Sequence, residues 1–141
     1  MNADQSFHAT CVALDGKAVL IKGASGQGKS SLALTLMAMG CVLVADDRVI
    51  LRAKNGCLMA SCPKPIQGLI EAWGAGLLNA DTIAEAPVHL VVDLDQIEQT
   101  RMPQRRSVTY LGIDITLINI IDGPHFAATI LQILRAGWSA R

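Results

Sequence analysis

The sequence has few aromatic side chains, no net charge and no long apolar run. Only 4% of its 141 residues are aromatic while 51% are hydrophobic, so we expect a mainly aliphatic core. Twelve basic residues balance twelve acidic ones, which gives no electrostatic reason to expect nucleic acid as a partner. No apolar run approaches the roughly 20 residues of a membrane span, and the first ten residues, MNADQSFHAT, do not resemble a signal peptide. We therefore expect no membrane partner.

Cysteines are also few, and their spacing is not that of a metal site. The four are Cys11, Cys41, Cys57 and Cys62, and at least two of them lie in apolar, strand-like runs. This usage indicates reduced thiols in a cytoplasmic protein and argues against a disulfide framework. The length suits one domain with a real core, so we predict a single domain over residues 1–141.

The predicted elements are those of an α/β domain. Asp15-Gly16 separates two short apolar runs, TCVAL and AVLIKG, and such a pair predicts a β-hairpin. Residues 29–39 are rich in helix formers and precede Gly40, so they predict a helix. The other predictions are a buried strand at 41–45, a hairpin turning at Asn55-Gly56, a buried strand at 88–95, a mobile polar loop at 96–107, strand structure at 108–120 and an amphipathic helix at 125–138.

Residues 23–30, GASGQGKS, match the phosphate-binding pattern G-x-x-x-x-G-K-[ST] at every fixed position. Glycine lets the backbone N–H groups approach phosphate oxygens, and the following helix adds the positive end of its dipole. Lys29 can reach the β- and γ-phosphates, and Ser30 can offer its hydroxyl to Mg²⁺. An apolar strand before the loop and a helix after it favour nucleotide binding. The predicted contacts are Gly23, Ala24, Ser25, Gly26, Gln27, Gly28, Lys29, Ser30 and Ser31.

Two pairs of acids end predicted strands, Asp46 with Asp47 and Asp93 with Asp95. A carboxylate at such a position can hold Mg²⁺ or take a proton from a hydroxyl. Adjacent acids point in opposite directions within a strand, so they can divide these roles only where the strand ends. We favour the first pair because it follows the predicted helix directly, and we keep Asp93 as an alternative Walker-B-like acid.

At this level of detail, residues 8–49 resemble the kinase domain of the bacterial HPr kinase/phosphorylase family. The shared features are a His before the hairpin, the hairpin, the G-x-S-G-x-G-K-S loop and the strand LVADD. Residues 68–80, GLIEAWGAGLLNA, resemble that family's signature of a Glu, a Gly-x-Gly and an apolar pair. The resemblance implies a short form with only the C-terminal P-loop kinase domain. Its fold would be of the HPr kinase/phosphoenolpyruvate carboxykinase-like type, a mixed sheet with a β-hairpin before the P-loop.

The resemblance also implies a reaction. Such a protein would use ATP and Mg²⁺ to phosphorylate a serine of HPr, the phosphocarrier of the phosphotransferase system. In reverse it would dephosphorylate HPr by phosphorolysis, converting inorganic phosphate to pyrophosphate. It would assemble as a homo-oligomer, a hexamer in the family. Two alternatives stay open, a nucleotide-sensing regulatory module without catalysis and a small-molecule P-loop kinase.

Roles for several acidic and basic side chains follow from the same resemblance. Lys29 and Ser30 would hold phosphate and Mg²⁺, and Glu71 would be the second Mg²⁺ ligand. Asp47 would be the base toward serine and the acid in the reverse reaction.

Three further roles are implied. Asp46 would support Asp47 or the metal, and His8 would lie near Asp47 and tune its protonation. Arg101 would stabilise the transferring phosphoryl group, with Arg105 and Arg106 as alternatives in the same loop.

The sequence also departs from the family at two places. Trp73 stands two residues after Glu71, where typical members have arginine. Residues 120–128, IIDGPHFAA, lack the arginine of a family loop implicated in dephosphorylation. Because cations bind inorganic phosphate, we expect the forward kinase reaction to be favoured over phosphorolysis.

Overall fold

The computed structural model describes residues 4–140, which form a mixed β-sheet, a separate two-stranded sheet and two α-helices. The helices are α1 (Lys29–Ala38) and α2 (Phe126–Ala136), and a short 3-10 helix covers Lys64–Ile66. Among the described residues, no helix is long and apolar enough to cross a membrane. The strands are β1 (Gln5–Phe7), β2 (Ala9–Leu14), β3 (Lys17–Lys22), β4 (Val42–Ala45), β5 (Val49–Lys54), β6 (Cys57–Ser61), β7 (Leu69–Ala72), β8 (Gly76–Asn79), β9 (Glu85–Ile97), β10 (Arg106–Tyr110) and β11 (Ile113–Ile120).

The directions of the strands explain where the candidate functional residues lie in the main sheet. The order is β1-β5-β6-β9-β3-β2-β4. In addition, β11 pairs with β9, and β10 pairs with β11. Strand β3 runs parallel to β9, and β2 runs antiparallel to both β3 and β4. Strands β3, β4 and β9 therefore point the same way, and their carboxyl ends meet at one edge of the sheet. Ligands of open α/β sheets bind at such an edge.

The sheet is covered on both faces by apolar side chains. On one face, Val12 and Ile21 pack with Leu36 of α1 and Ile130 of α2. On the other face, Cys11 packs with side chains of the β5–β6 hairpin and of β11. All six residues of β2 are buried because the strand lies between these two layers.

Tight turns connect three of the hairpins. Asp15-Gly16 and Asn55-Gly56 both have positive φ at each residue, the geometry that their sequence predicts. Leu111-Gly112 has the same geometry, with φ of 50° and 79°, and it divides the predicted strand region 108–120 into β10 and β11. The predicted polar loop 96–107 is shorter than expected, since β9 continues to Ile97 and β10 begins at Arg106.

Two elements were not predicted from the sequence. Strand β1 adds to the edge of the sheet beside β5. Strands β7 and β8 form a separate hairpin within residues 68–80. Ile70 of this hairpin is buried in the same cluster as Leu36 of α1, so the hairpin is anchored beside that helix.

Candidate active site

A cavity of about 540 Å³ lies at the carboxyl ends of β3 and β4. Three parts of the chain enclose it, namely the loop and first turn of α1, the residues after β4, and the β7–β8 hairpin with the 3-10 helix before it. His8, at the start of β2, completes the wall. This size is typical of a small-molecule site. Of the predicted phosphate contacts, it is lined by Ser25, Gly26, Gly28, Lys29, Ser30 and Ser31, whereas Gly23, Ala24 and Gln27 are not among its lining residues.

The glycine-rich loop has the local geometry of an anion site. Gly26 and Gly28 have φ of 87° and 94°, values that side-chain-bearing residues rarely adopt. The Lys29 ammonium donates to the carbonyl oxygens of Gly23 at 2.8 Å and Ala24 at 3.3 Å, and the residue is only 7% exposed. The first turn of α1 carries no acid, so its positive dipole end is not neutralised. The loop therefore presents N–H groups and one ammonium to an anion.

Asp46 joins four elements at the floor of the cavity. Its Oδ1 accepts hydrogen bonds from the Ser30 hydroxyl at 2.6 Å and the Thr10 hydroxyl at 3.0 Å, while Oδ2 accepts the Glu71 backbone N–H at 2.9 Å. The residue is 6% exposed. Three donors hold this carboxylate in one orientation, so it is a positioned ligand rather than a free base. The pKa of the nearby Cys62 thiol is raised, mainly by burial and secondly by the negative charge of Asp46.

Asp47 has the opposite environment although it is the next residue. Its φ of 68° turns the chain away from the strand, and its side chain is 67% exposed. A hydrogen bond of 2.7 Å joins its Oδ1 to His8 Nε2, and its N–H donates to the Thr10 hydroxyl at 3.3 Å. Aspartate tolerates this left-handed conformation better than most residues. The carboxylate thus faces the cavity with one partner and is open to a substrate proton.

Glu71 lies on β7 with an exposed side chain that lines the same cavity. Its carboxylate, that of Asp46 and the Ser30 hydroxyl are the oxygen donors around this part of the space. Mg²⁺ takes one or two protein carboxylates and completes its shell with waters and substrate phosphates, so this donor set fits it. Within residues 4–140, no cluster of three or more His, Cys, Asp or Glu side chains is arranged to bind a metal by itself.

Comparison with known proteins identifies the family. The model of the HPr Serine kinase C-terminal domain matches residues 1–130. The chain belongs to this family. An HPr kinase/phosphorylase of Exiguobacterium sibiricum is 37% identical over 83% of this chain and 39% of its own length. That of Bordetella pertussis is 35% identical over 92% of this chain and 47% of its own length. This chain therefore spans less than half of each of these two relatives.

A solved structure agrees with the fold. The HPr(Ser) kinase/phosphatase from Coxiella burnetii superposes with a TM-score of 0.78 at 28% identity. The superposition covers 93% of this chain and 94% of that one. The mixed α/β sheet with two helices is therefore the fold of this family's kinase domain.

The second acid pair lies outside the cavity lining. The Asp95 carboxylate accepts the Ala24 N–H at 3.0 and 3.2 Å through its two oxygens. Asp93 forms an ion pair of 3.7 Å with Lys22 and accepts the Asp95 N–H at 2.9 Å. Asp95 therefore holds the glycine-rich loop through the Ala24 N–H, and Asp93 in turn holds the backbone of Asp95. The contact with Ser30 belongs to Asp46, which favours Asp46 over Asp93 as the Walker-B-like acid.

The arginines are distributed differently from the prediction. Arg48 lines the cavity, whereas Arg101 is not among its lining residues. The Arg105 guanidinium lies 4.2 Å from the centre of the Trp138 ring, and Arg106 is 2.9 Å from Glu98. Arg48 was not predicted as a site residue, although its position directly after the two aspartates could have indicated it.

Proposed function

We propose that this domain is an ATP-dependent protein-serine kinase that phosphorylates HPr, the phosphocarrier of the phosphotransferase system. The observation that carries the proposal is the 2.7 Å contact of His8 with Asp47 in the cavity that Lys29 and Ser30 also line. One cavity thus combines a phosphate-binding loop with an accessible carboxylate base. The similarity to HPr kinase/phosphorylases supports HPr as the acceptor.

In the proposed reaction, Lys29 neutralises the β- and γ-phosphates of ATP, and the loop N–H groups orient the phosphate chain. Ser30, Asp46 and Glu71 would hold Mg²⁺, which supplies further neutralisation of the phosphate oxygens. Asp47 accepts the proton of the serine hydroxyl as the serine oxygen bonds to the γ-phosphorus. The bond from that phosphorus to the bridging oxygen breaks, and ADP leaves. Positioning and charge neutralisation supply most of the rate enhancement in such transfers.

The reverse reaction uses the same groups in opposite order. Inorganic phosphate would attack phosphoserine, Asp47 would return its proton to the serine oxygen, and pyrophosphate would leave. We propose that this phosphorolysis is the weaker direction. We also propose a cytoplasmic homo-oligomer, in keeping with four free cysteines and with the family resemblance.

The test is transfer of labelled γ-phosphate from Mg-ATP to purified HPr, with an HPr variant carrying Ala at its acceptor serine as the control. We expect label on wild-type HPr only, and its release as pyrophosphate when excess inorganic phosphate is added. ATP bound without transfer to HPr would contradict the proposal and favour a nucleotide sensor. Turnover of ATP with a small molecule in place of HPr would favour a small-molecule kinase.

A further inference from the structure

The β7–β8 hairpin holds a tryptophan in solvent at the wall of the cavity. Trp73, in the turn after β7, is 94% exposed, and Leu77, on β8, is 65% exposed. Both line the cavity, together with Ile66 and Leu69. Large apolar side chains that are this exposed and this close together usually mark a binding surface.

The cavity has two chemically different walls. The wall made by the glycine-rich loop, Lys29 and Ser30 is polar and cationic, and the wall made by Ile66, Leu69, Trp73 and Leu77 is apolar. A nucleoside triphosphate has the same division, because its phosphate chain is anionic and its base is a flat ring with apolar faces. One continuous space of about 540 Å³ joins the two walls.

The hairpin and the glycine-rich loop border the same cavity, so phosphates held by the loop would lie in the space that the hairpin also lines. In this loop type the lysine contacts the β- and γ-phosphates, and backbone N–H groups hold the α- and β-phosphates. Ser31, two residues after Lys29, also lines the cavity. The hairpin is anchored through Ile70 beside α1, and Ser31 lies in the first turn of that helix.

We propose that Trp73, bordered by Leu77 and Ile66, is the stacking platform for the base of the bound nucleoside triphosphate. The proposal rests on the nucleotide binding proposed above and assigns the part of the site that receives the nucleoside. Stacking of a base on an aromatic ring is tolerant of base identity because every base has a π-face. The hairpin therefore adds affinity for ATP and for GTP alike.

A docked protein is the rival occupant of this surface. A specific protein interface buries on the order of 800 Å² on each partner. The apolar group here is four side chains, and they line one small cavity together with six residues of the glycine-rich loop and the first turn of α1. A single base matches this extent better than a protein surface does.

The first test compares MgATP with Mg-tripolyphosphate, which has the phosphates but no base. We expect Trp73→Ala to weaken MgATP binding roughly tenfold and to leave tripolyphosphate binding unchanged, since base stacking contributes about this much. Trp73→Phe should restore most of the loss. Trp138→Ala removes the other tryptophan, which lies outside this cavity, and should change neither affinity.

Each alternative gives a different result. Equal losses for the two ligands, or no loss for either, would overturn the stacking platform while leaving phosphate binding intact. A wild-type protein that binds neither ligand would overturn the proposed nucleotide site itself. A higher KM for HPr with unchanged ATP affinity in Trp73→Ala would make the hairpin a docking element and would also overturn the proposal.

Fluorescence gives an independent readout. Trp138→Phe leaves Trp73 as the single tryptophan of the chain. We expect its emission to be quenched by MgATP and by MgGTP but not by Mg-tripolyphosphate. An equal response to all three ligands would show that the hairpin senses phosphate rather than the base, against the proposal.

Discussion

Asp46 and Asp47 show how one peptide bond separates two roles. Asp46 is buried and accepts three hydrogen bonds, while Asp47 is exposed and contacts His8. The separation depends on the positive φ of Asp47, which takes the chain out of the strand. The Asp46 carboxylate is thereby fixed, and the Asp47 carboxylate stays accessible.

The first prediction concerns these two carboxylates. Asp47→Asn should lower phosphate transfer to HPr by roughly a hundredfold or more, because it removes the general base. It should leave MgATP affinity nearly unchanged. Asp46→Asn should weaken MgATP binding itself, because an amide replaces the carboxylate beside Ser30. Calorimetric titration with ATP and a labelled-phosphate assay separate the two effects. Near-normal transfer by Asp47→Asn would refute the base assignment.

The second prediction concerns the arginines. Arg48→Ala should lower transfer by roughly a hundredfold, because an arginine at the transferring phosphoryl group stabilises its charge. Arg101→Ala should have a smaller effect, because Arg101 does not line the cavity. The measurement is kcat for each variant at saturating ATP, with Arg105→Ala as the matched control. A larger loss in Arg101→Ala would show that Arg101 acts on the transferring phosphoryl group, as the sequence resemblance implies.

At the scale of elements, β2 is the strand that organises the site. It is buried along its whole length, and His8 precedes it directly. The Thr10 hydroxyl donates to Asp46 and accepts the N–H of Asp47, so one side chain of this strand orients both carboxylates. Loss of this hydroxyl should therefore lower both the rate of phosphate transfer and the free energy of unfolding.

The third prediction tests this link. Thr10→Val has nearly the same shape but leaves the buried Asp46 carboxylate short of a donor, which should cost about 1–3 kcal/mol in the free energy of unfolding. Phosphate transfer should fall with it. Thr10→Ser keeps the hydroxyl and loses one methyl, at about 1 kcal/mol, and should retain transfer. Denaturant unfolding and the transfer assay give both quantities. Full transfer by Thr10→Val would show that Thr10 contributes only to packing.

Local turn chemistry explains which elements could be predicted. Asp15-Gly16 and Asn55-Gly56 are the residue pairs that this turn geometry prefers, and both hairpins follow from sequence. Leu111 occupies the same left-handed position and packs partly against the core, so tertiary contacts override its poor turn preference. The β7–β8 hairpin has no such pair. Along β7, Ile70 is buried and Glu71 is exposed, but Leu69 and Ala72 are both half-buried, so the strand shows no clear alternation.

At the scale of the whole molecule, the site joins residues far apart in the chain. His8 and Asp47 are 39 residues apart, and Asp95 reaches Ala24 across 71 residues. No local pattern predicts such contacts. The first was expected only because the sequence resembles a family, and the second was not expected at all. The loop, by contrast, could be located from its own spacing, since its function depends on consecutive residues.

The fourth prediction concerns the direction of the reaction. Among the described residues, Lys29 and Arg48 are the only lysine or arginine side chains lining the cavity. Inorganic phosphate lacks the base and the further phosphates of ATP and so depends more on charged side chains, and with few cations in the cavity it should bind weakly. We expect forward transfer to be half-saturated by ATP at a much lower concentration than phosphorolysis is by phosphate. The measurement is pyrophosphate release from phosphorylated HPr over a phosphate titration.

Trp73→Arg provides the matched variant, because it returns the arginine of typical family members to the apolar wall. It should lower the phosphate concentration that half-saturates the reverse reaction, since a guanidinium binds phosphate in a bidentate manner. At the same time it should weaken MgATP binding, because the base loses its aromatic platform. This one substitution would then strengthen phosphate binding in the reverse reaction and weaken MgATP binding in the forward reaction. Efficient phosphorolysis by the wild-type protein at low phosphate would show instead that Lys29 and Arg48 suffice, and the arginine would then bring no further gain.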